Sequence, residues 1–171
     1  MRDNNLLFSS ELPYPSIKIE FSHHQYARFM LDNMGGMNSE MSTISMYLYN
    51  NLMVEENYRD IAVIYHKTSI VEMHHLNIFG KLAIALGEPP GLWSYQHNQR
   101  KYWSSSYNQY HHDLKRLVHQ SLHGELAAIR KYKEQVNYVD DRCIADNLKR
   151  IIIDEEIHVS IFEKVICDYH L

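Results

Sequence analysis

Residues 71–75, Val-Glu-Met-His-His, place a glutamate and a histidine three positions apart, at Glu72 and His75. On a helix, residues separated by three positions lie one turn apart on the same face, so this carboxylate and this imidazole would point in one direction. The same spacing returns near the end of the chain in Glu155 and His158. Two segments of the chain can therefore each present a carboxylate and an imidazole from one helical face.

Two further glutamates stand in apolar surroundings upstream of these pairs. Glu40 lies in NSEMSTISMY, 32 residues before Glu72, and Glu125 lies in HGELAAIRKY, 30 residues before Glu155. Four carboxylates and two histidines in this order match the ligand pattern of a carboxylate-bridged two-metal site inside a four-helix bundle. The candidate metal ligands are therefore Glu40, Glu72, His75, Glu125, Glu155 and His158.

Apolar residues at helical spacing predict four long helices. The first covers residues 22–56, with a kink or short break at Gly35-Gly36, and the second covers residues 59–86. The third begins between residues 110 and 113, and the fourth follows a polar turn at residues 139–141. The apolar stripe expected on the first helix is Met37, Ile44, Tyr47, Leu48 and Leu52. The pattern predicts an all-α, up-down bundle of two αα-hairpins, joined by a long crossover between the second and third helices.

The two predicted hairpins repeat each other along the chain, with offsets of 85 residues in their first helices and 83 in their second. Antiparallel helices place two residues at the same height when both are equally far from the turn. The midpoints between each lone glutamate and its Glu-x-x-His pair fall near Asn57 and near Asp140-Asp141, where the chain has polar turns. The matched pairs are Glu40–Glu125, Tyr47–Tyr132, Glu72–Glu155 and His75–His158. All six candidate ligands are therefore predicted to lie at one level of the bundle.

The candidate ligands lie within the apolar stripes of their helices and not on the opposite polar faces. Burying an ionised carboxylate without a partner costs many kcal/mol, and neighbouring like charges raise that cost. Neither Lys nor Arg occupies these stripes at the level of the glutamates. Metal ions would supply the missing positive charge, and an oxygen-rich set with one imidazole per metal suits iron or manganese. The expected cofactors are two iron or two manganese ions.

These six residues, in this order, resemble the ligand motifs of the ferritin-like superfamily, on the branch of rubrerythrin-related and manganese-catalase-like bacterial proteins. The resemblance covers nearly everything from Tyr26 to Ile166. It implies a ferritin-like four-helix bundle in which Glu72 and Glu155 bridge the two metals. It further implies four ligands that each bind a single metal, namely the terminal carboxylates and the two imidazoles: Glu40, Glu125, His75 and His158.

The resemblance also implies partners for the ligands. Asp154 matches the family's acidic residue before the second Glu-x-x-His, so it would orient His75 from the other hairpin. The equivalent position on the second helix is Val71, which leaves His158 without such a carboxylate. Two tyrosines lie two turns beyond the lone glutamates and could either hydrogen-bond near the site or be ordinary core residues: Tyr47 and Tyr132.

The function implied by the resemblance is a dimetal-carboxylate oxidoreductase that acts on hydrogen peroxide or oxygen. Two features depart from rubrerythrin itself. The chain has only two cysteines, too few for a rubredoxin-type module, and Ala128 stands where rubrerythrin has an additional carboxylate. These departures disfavour a peroxidase with a built-in electron-transfer domain and leave peroxide disproportionation or metal oxidation. The alternatives are a ferroxidase or iron-storage protein and a structural or coat-type bundle with a vestigial metal site.

Composition and the N-terminal sequence bear on the partners, the domain organisation and the location of the protein. The 171-residue chain has a formal net charge of −4, which does not favour a nucleic-acid partner. We expect an extended N-terminal arm over residues 1–21 and a single bundle domain over residues 22–171. The N-terminus has no apolar run suited to a signal peptide, and no stretch is long and apolar enough for a membrane span. A cytoplasmic protein without membrane contact is therefore the expectation.

The predicted crossover contains residues 91–112, GLWSYQHNQRKYWSSSYNQYHH, and mixes aromatic residues with Arg100 and Lys101. Such a segment could stack single-stranded nucleic acid. The acidic net charge and the lack of a basic run instead favour a loop that aromatic side chains strap over the bundle: Trp93, Trp103, Tyr107 and Tyr110. The loop could also contribute to a subunit interface, because the resemblance implies a homodimer or a higher homo-oligomer.

Overall fold

The computed structural model describes residues 6–171, and within that range the chain is an all-α bundle with one small β-hairpin. The helices are α1 (His24–Gly35), α2 (Glu40–Val54), α3 (Arg59–Ala85), α4 (Leu114–Tyr138) and α5 (Arg142–Tyr169). Helix α2 pairs with α3 and α4 pairs with α5, and α1 also packs on α3. The predicted ferritin-like bundle of two αα-hairpins is therefore confirmed, with the first predicted helix divided into α1 and α2.

The division between α1 and α2 falls at the predicted glycine pair. A Cβ atom on Gly35 would lie 2.5 Å from the backbone of Leu92 and Trp93, so only glycine allows the crossover to pack this closely. Ser39 then caps α2 by accepting a hydrogen bond from the backbone N–H of Ser42. The start of α1 differs by one residue from the expectation at Ser22, because the Nδ1 atom of His23 is the capping acceptor.

The crossover between α3 and α4 contains the feature that helical periodicity does not predict. Strands β1 (Trp93–Gln96) and β2 (Gln99–Tyr102) form an antiparallel hairpin that packs against α1. The crossover is fastened to the bundle, as expected, since the indole N–H of Trp103 donates to Ser42 Oγ and the ring of Tyr110 packs edge-on against Tyr49. Helix α4 then begins after Asp113, whose carboxylate caps the helix.

The apolar stripe predicted for the first helix is wrong at three positions. Met37, Leu48 and Leu52 are 63%, 61% and 63% exposed. At about 100° per residue, Leu48 and Leu52 lie roughly 80° and 120° around the helix from Glu40, so they turn away when Glu40 faces inward. The buried face of α2 instead carries Glu40 and Tyr47, together with other polar residues.

Two apolar clusters fill the bundle above and below a polar layer. One cluster includes Phe79 and Ile151, and the other includes Tyr65 and Phe162. The layer between them holds the six candidate ligands, all buried. The hydrophobic clusters stabilise the helices on both sides of the layer, so its polar groups are held in a closely packed interior.

Residues 6–23, here called the N-terminal arm, contain neither helix nor strand and run antiparallel along α5. Near the start of α5, Ser16 and Lys18 hydrogen-bond to Cys143. Further along, Arg150 donates to the carbonyl oxygen of Leu12. Residues 1–5 of the predicted arm lie outside the described residues. Within residues 6–171, no helix combines the length and the apolar character needed to cross a membrane.

Candidate metal centre

The six predicted ligands converge at one level of the bundle. Each of the helices α2 and α4 contributes one glutamate, and each of α3 and α5 contributes a glutamate and a histidine one turn apart. None of the six residues is more than 2% exposed. Their ligand atoms form two groups, each within 4.8 Å, and the two groups share Glu72 and Glu155. The first group adds Glu40 and His75, and the second adds Glu125 and His158.

The shared glutamates face both histidines. Nδ1 of His75 lies 3.0 Å from Glu72 Oε2 and 3.2 Å from Glu155 Oε1. Nδ1 of His158 lies 3.0 Å from Glu72 Oε1 and 3.2 Å from Glu155 Oε2. Each carboxylate therefore directs one oxygen to each histidine, which is the arrangement of a group that can bridge two cations.

The hydrogen bonds within the ligand layer do not satisfy all of its carboxylate oxygens, and bound metal ions could do so. The Oε1 atoms of Glu72 and Glu155 are buried and accept no hydrogen bond, although each lies close to a histidine nitrogen. Within residues 6–171, three of the four glutamates, Glu72, Glu125 and Glu155, form ion pairs with the two histidines, and no Lys or Arg pairs with any of the four. A buried layer with this excess of carboxylate groups and inward-facing oxygens is suited to hold positive charge.

Burial and mutual repulsion shift the pKa values of these carboxyls apart. Burial, together with the charge of Glu155, raises the pKa of Glu125 to about 7. Burial and the charge of Glu72 raise the pKa of Glu40 well above its usual range. Burial also opposes ionisation of Glu72, but its pairing with His158 and His75 together lowers the pKa of Glu72. Part of the negative charge in the layer is therefore neutralised by bound protons in the chain alone.

The pKa values of both histidines are raised, although burial alone would lower them. Burial alone would lower the pKa of His75, but Glu155 and Asp154 outweigh it and raise that pKa well above the usual range. The pKa of His158 is raised in the same way, against burial, chiefly by Glu72 and Glu125. The protonated imidazoles therefore balance part of the negative charge of the carboxylates. Metal cations would take over this charge balance, and their binding would release the imidazole protons.

The outer nitrogen of His75 contacts the acidic residue expected from the sequence. Nε2 of His75 lies 3.2 Å from Asp154 Oδ2, and Asp154 belongs to α5 of the other hairpin. Three further groups hold Asp154: the guanidinium of Arg150 at 2.7 Å, the hydroxyl of Tyr14 at 2.6 Å and the backbone N–H of Ser10 at 2.7 Å. The structure thus places Asp154 where it can orient His75.

The outer nitrogen of His158 has a partner that sequence reasoning missed. Val71 offers no carboxylate, as expected, but the backbone carbonyl oxygen of Phe8 lies 2.9 Å from His158 Nε2. Phe8 belongs to the N-terminal arm and is 150 positions away in sequence. A backbone carbonyl is common to every residue type, so no sequence signal could have identified it.

The two tyrosines left open by the sequence contact the glutamates across the bundle. The Tyr47 hydroxyl on α2 donates to Glu125 Oε1 on α4, and the Tyr132 hydroxyl on α4 donates to Glu40 Oε1 on α2. Both tyrosines are also core residues, at most 1% exposed. Burial raises the pKa of each hydroxyl well above its usual range, so both remain hydrogen-bond donors.

A polar cleft approaches the layer between α2, α4 and the crossover. Its volume is about 470 Å³, and Met46 and Gly124 are among the residues that line it. Gly124 directly precedes Glu125, and a Cβ atom on Gly124 would lie 4.0 Å from the terminal methyl of Met46. The cleft therefore brings a small solute to the residue that precedes Glu125 in α4.

Comparison with known proteins agrees with this fold. The sequence profile of the rubrerythrin family matches residues 35–166, whereas no curated protein matches the chain in sequence. Two crystal structures of KatB, a manganese catalase from Anabaena, superpose with TM-scores of 0.83 and 0.81 at 21% and 22% identity. Each superposition covers 96% of this chain and 81% of KatB, so the fold is shared over nearly the whole chain. The chain belongs to the rubrerythrin family.

Proposed function

We propose that this protein is a dimetal-carboxylate oxidoreductase that acts on hydrogen peroxide or oxygen. The observation that carries the proposal is the pair of ligand groups that share Glu72 and Glu155. In this proposal the shared glutamates bridge two iron or two manganese ions. Glu40 and His75 complete one metal position, and Glu125 and His158 complete the other.

Bound iron or manganese would supply the exchange of electrons with an O–O bond. The chain's own residues prepare the site for that chemistry. The two apolar clusters exclude bulk water from the ligand layer. Tyr47 and Tyr132 each donate to one oxygen of a terminal glutamate, Glu125 and Glu40 respectively, and so restrict the orientation of that carboxylate.

The access to the ligand layer favours a small oxidant. The cleft lined by Met46 and Gly124 lies one residue from Glu125 along α4, and Glu125 itself is buried. Hydrogen peroxide and oxygen are small enough to pass between packed side chains, whereas a large organic substrate would be restricted to the cleft itself.

Within this proposal, disproportionation of hydrogen peroxide is the reaction we favour. Two molecules of peroxide yield one oxygen and two waters, so no outside reductant is required. The chain has two cysteines, Cys143 and Cys167, and the four thiolates of a rubredoxin-type electron donor are therefore not available in it. The manganese catalase KatB, which shares the fold, is consistent with this choice of reaction.

The test is to load the full chain with Mn(II) or Fe(II), measure bound metal, and follow oxygen release from hydrogen peroxide without reductant. Two metals per chain and sustained oxygen release would support the proposal. Uptake of many iron atoms with formation of a ferric core would favour storage instead. A protein that binds both metals and neither consumes peroxide nor reacts with oxygen would favour a structural role.

A further inference from the structure

The N-terminal arm contacts the Nε2 side of both histidines in the ligand layer. It reaches His158 directly and His75 through Asp154. The carbonyl oxygen of Phe8 lies 2.9 Å from His158 Nε2. The hydroxyl of Tyr14 donates to Asp154 Oδ2 at 2.6 Å, and that same oxygen lies 3.2 Å from His75 Nε2. Residues from outside the bundle therefore reach both imidazoles on the side that faces away from the carboxylates.

These contacts select the form of each imidazole that can bind a metal. A carbonyl oxygen can only accept, so Nε2 of His158 must carry hydrogen when it bonds to Phe8. In the neutral ring the lone pair then lies on Nδ1, which faces Glu72 and Glu155. Asp154 accepts from His75 Nε2 in the same way, so Nδ1 of both histidines is directed at the ligand layer.

The arm is held in this position by a small number of specific contacts. Arg150, which is 5% exposed, donates from Nε to the carbonyl of Leu12 and from Nη2 to the carbonyl of Ser10, at 2.7 and 2.8 Å. The guanidinium carbon of Arg150 also lies 4.3 Å from the centre of the Tyr14 ring. The arm has no secondary structure of its own, so its docking depends on these contacts with α5.

We propose that the N-terminal arm is a positioning segment of the metal centre, in which the Phe8 carbonyl and the Tyr14 hydroxyl fix the two histidines for metal binding. The proposal rests on the dimetal centre proposed above. Because coupling between two sites is reciprocal, arm docking should strengthen metal binding, and bound metal should strengthen arm docking. The two histidines differ in the acceptor at Nε2, which is the carboxylate of Asp154 for His75 and the neutral carbonyl of Phe8 for His158.

The first test replaces Tyr14 by phenylalanine, which keeps the ring over Arg150 and removes the donor to Asp154. We expect Mn(II) affinity, measured by competition with a chelator, to fall about tenfold or more, in the range found for such outer partners. The control is Tyr102→Phe on the exposed β2 strand, which should bind Mn(II) as the wild type does. A Tyr14→Leu variant measures the packing contribution separately. Affinity of wild-type strength in Tyr14→Phe would overturn the role of the hydroxyl.

The second test addresses the Phe8 carbonyl through the side chain that anchors it. The Phe8 ring packs beside the apolar cluster that includes Tyr65 and Phe162, with the Lys67 ammonium 5.2 Å from the ring centre. Phe8→Ala should loosen this anchor and weaken one of the two bound Mn(II) ions, so titration should show one tight and one weak site. Leu12→Ala is the control, because that side chain is 59% exposed and its bonded carbonyl is retained. Two Mn(II) ions bound as tightly as in the wild type would contradict the proposal.

The reciprocal effect is measured by hydrogen exchange of the arm in the full-length wild type. We expect amide exchange of residues 8–14, including the Ser10 N–H that bonds to Asp154, to slow when Mn(II) is added. Glu72→Gln, which alters a proposed bridging ligand, should abolish that slowing. Unchanged exchange in the arm, alongside two bound Mn(II) ions, would overturn this inference and leave the proposed function intact. A wild type that binds no metal would instead defeat the proposed function.

Discussion

The hydroxyl of Tyr132 on α4 donates a hydrogen bond to Oε1 of Glu40 on α2. Tyr47 makes the corresponding contact from α2 to Glu125 on α4, so the two hairpins exchange equivalent bonds across the ligand layer. Both hydrogen bonds are shielded from bulk water, because all four residues are at most 2% exposed. The tyrosines therefore link the hairpins at the level where the glutamates meet.

Tyr132→Phe tests this link directly. The substitution leaves the ring in place and removes the donor to Glu40, so a buried carboxyl oxygen loses its partner. We expect the free energy of unfolding of the metal-free protein to fall by about 1–3 kcal/mol, measured by denaturant titration. Tyr102→Phe, at an exposed strand position, should leave stability unchanged. Equal stability of the two variants would show that Tyr132 acts only through packing.

Glu72→Ala should remove a bridging ligand and with it most of the bound metal. Metal analysis of the loaded variant should give well below two ions per chain, and its Tm should no longer rise on addition of Mn(II). The matched control is Glu156→Ala, because Glu156 is an exposed residue of α5 that pairs with Lys133 at the surface. Full metal retention in Glu72→Ala would be incompatible with a bridging role.

The stability of the metal-free protein should fall as pH rises through the neutral range. The pKa values of His75 and His158 are raised in the fold, so their stabilising contribution is complete below the unfolded value of 6.5 and is lost as pH rises through the folded pKa. Burial also raises the pKa of Glu125 from 4.5 to about 7, and this penalises the folded state progressively between those values. Both effects have the same sign.

Metal should reverse this trend, because the ligands bind metal in their deprotonated forms. Denaturant unfolding at about pH 6 and about pH 9 should show falling stability for the metal-free protein and a growing stabilisation by Mn(II). The opposite contributions of Glu72 and Glu155, whose pKa values are lowered, are lost only as pH falls below their ordinary range. A metal-free protein that becomes more stable between pH 6 and 9 would contradict the assignment of protons to the ligand layer.

Gly124→Ala should affect stability and access in opposite directions. Glycine within a helix costs up to about 1 kcal/mol relative to alanine, and the added Cβ has 4.0 Å of space to Met46, so the free energy of unfolding should rise. The same methyl narrows the cleft that Gly124 and Met46 line, so kcat/KM for hydrogen peroxide should fall several-fold with metal content unchanged. An unaltered kcat/KM would indicate that the oxidant reaches the layer by another route.

Most of the fold could be predicted from local patterns. The helices follow from apolar periodicity, and α4 and α5 begin directly after Asp113 and Asp141, at the predicted helix start and the predicted polar turn. The convergence of the candidate ligands followed from their equal distance to two polar turns. The errors arose where local pattern does not decide, since α2 turns Leu48 outward to bring Glu40 into the bundle, and the crossover forms a strand pair.

The sequence alone determined which helices form and which six side chains meet, because helical period and distance from a turn are properties of position along the chain. Only the tertiary structure decided which groups of the N-terminal arm contact the histidines and Asp154. The carbonyl of Phe8 reaches His158 across 150 positions, and Tyr14 reaches Asp154 across 140. A backbone carbonyl carries no residue identity, and an arm without periodicity can be placed only by the surface on which it packs.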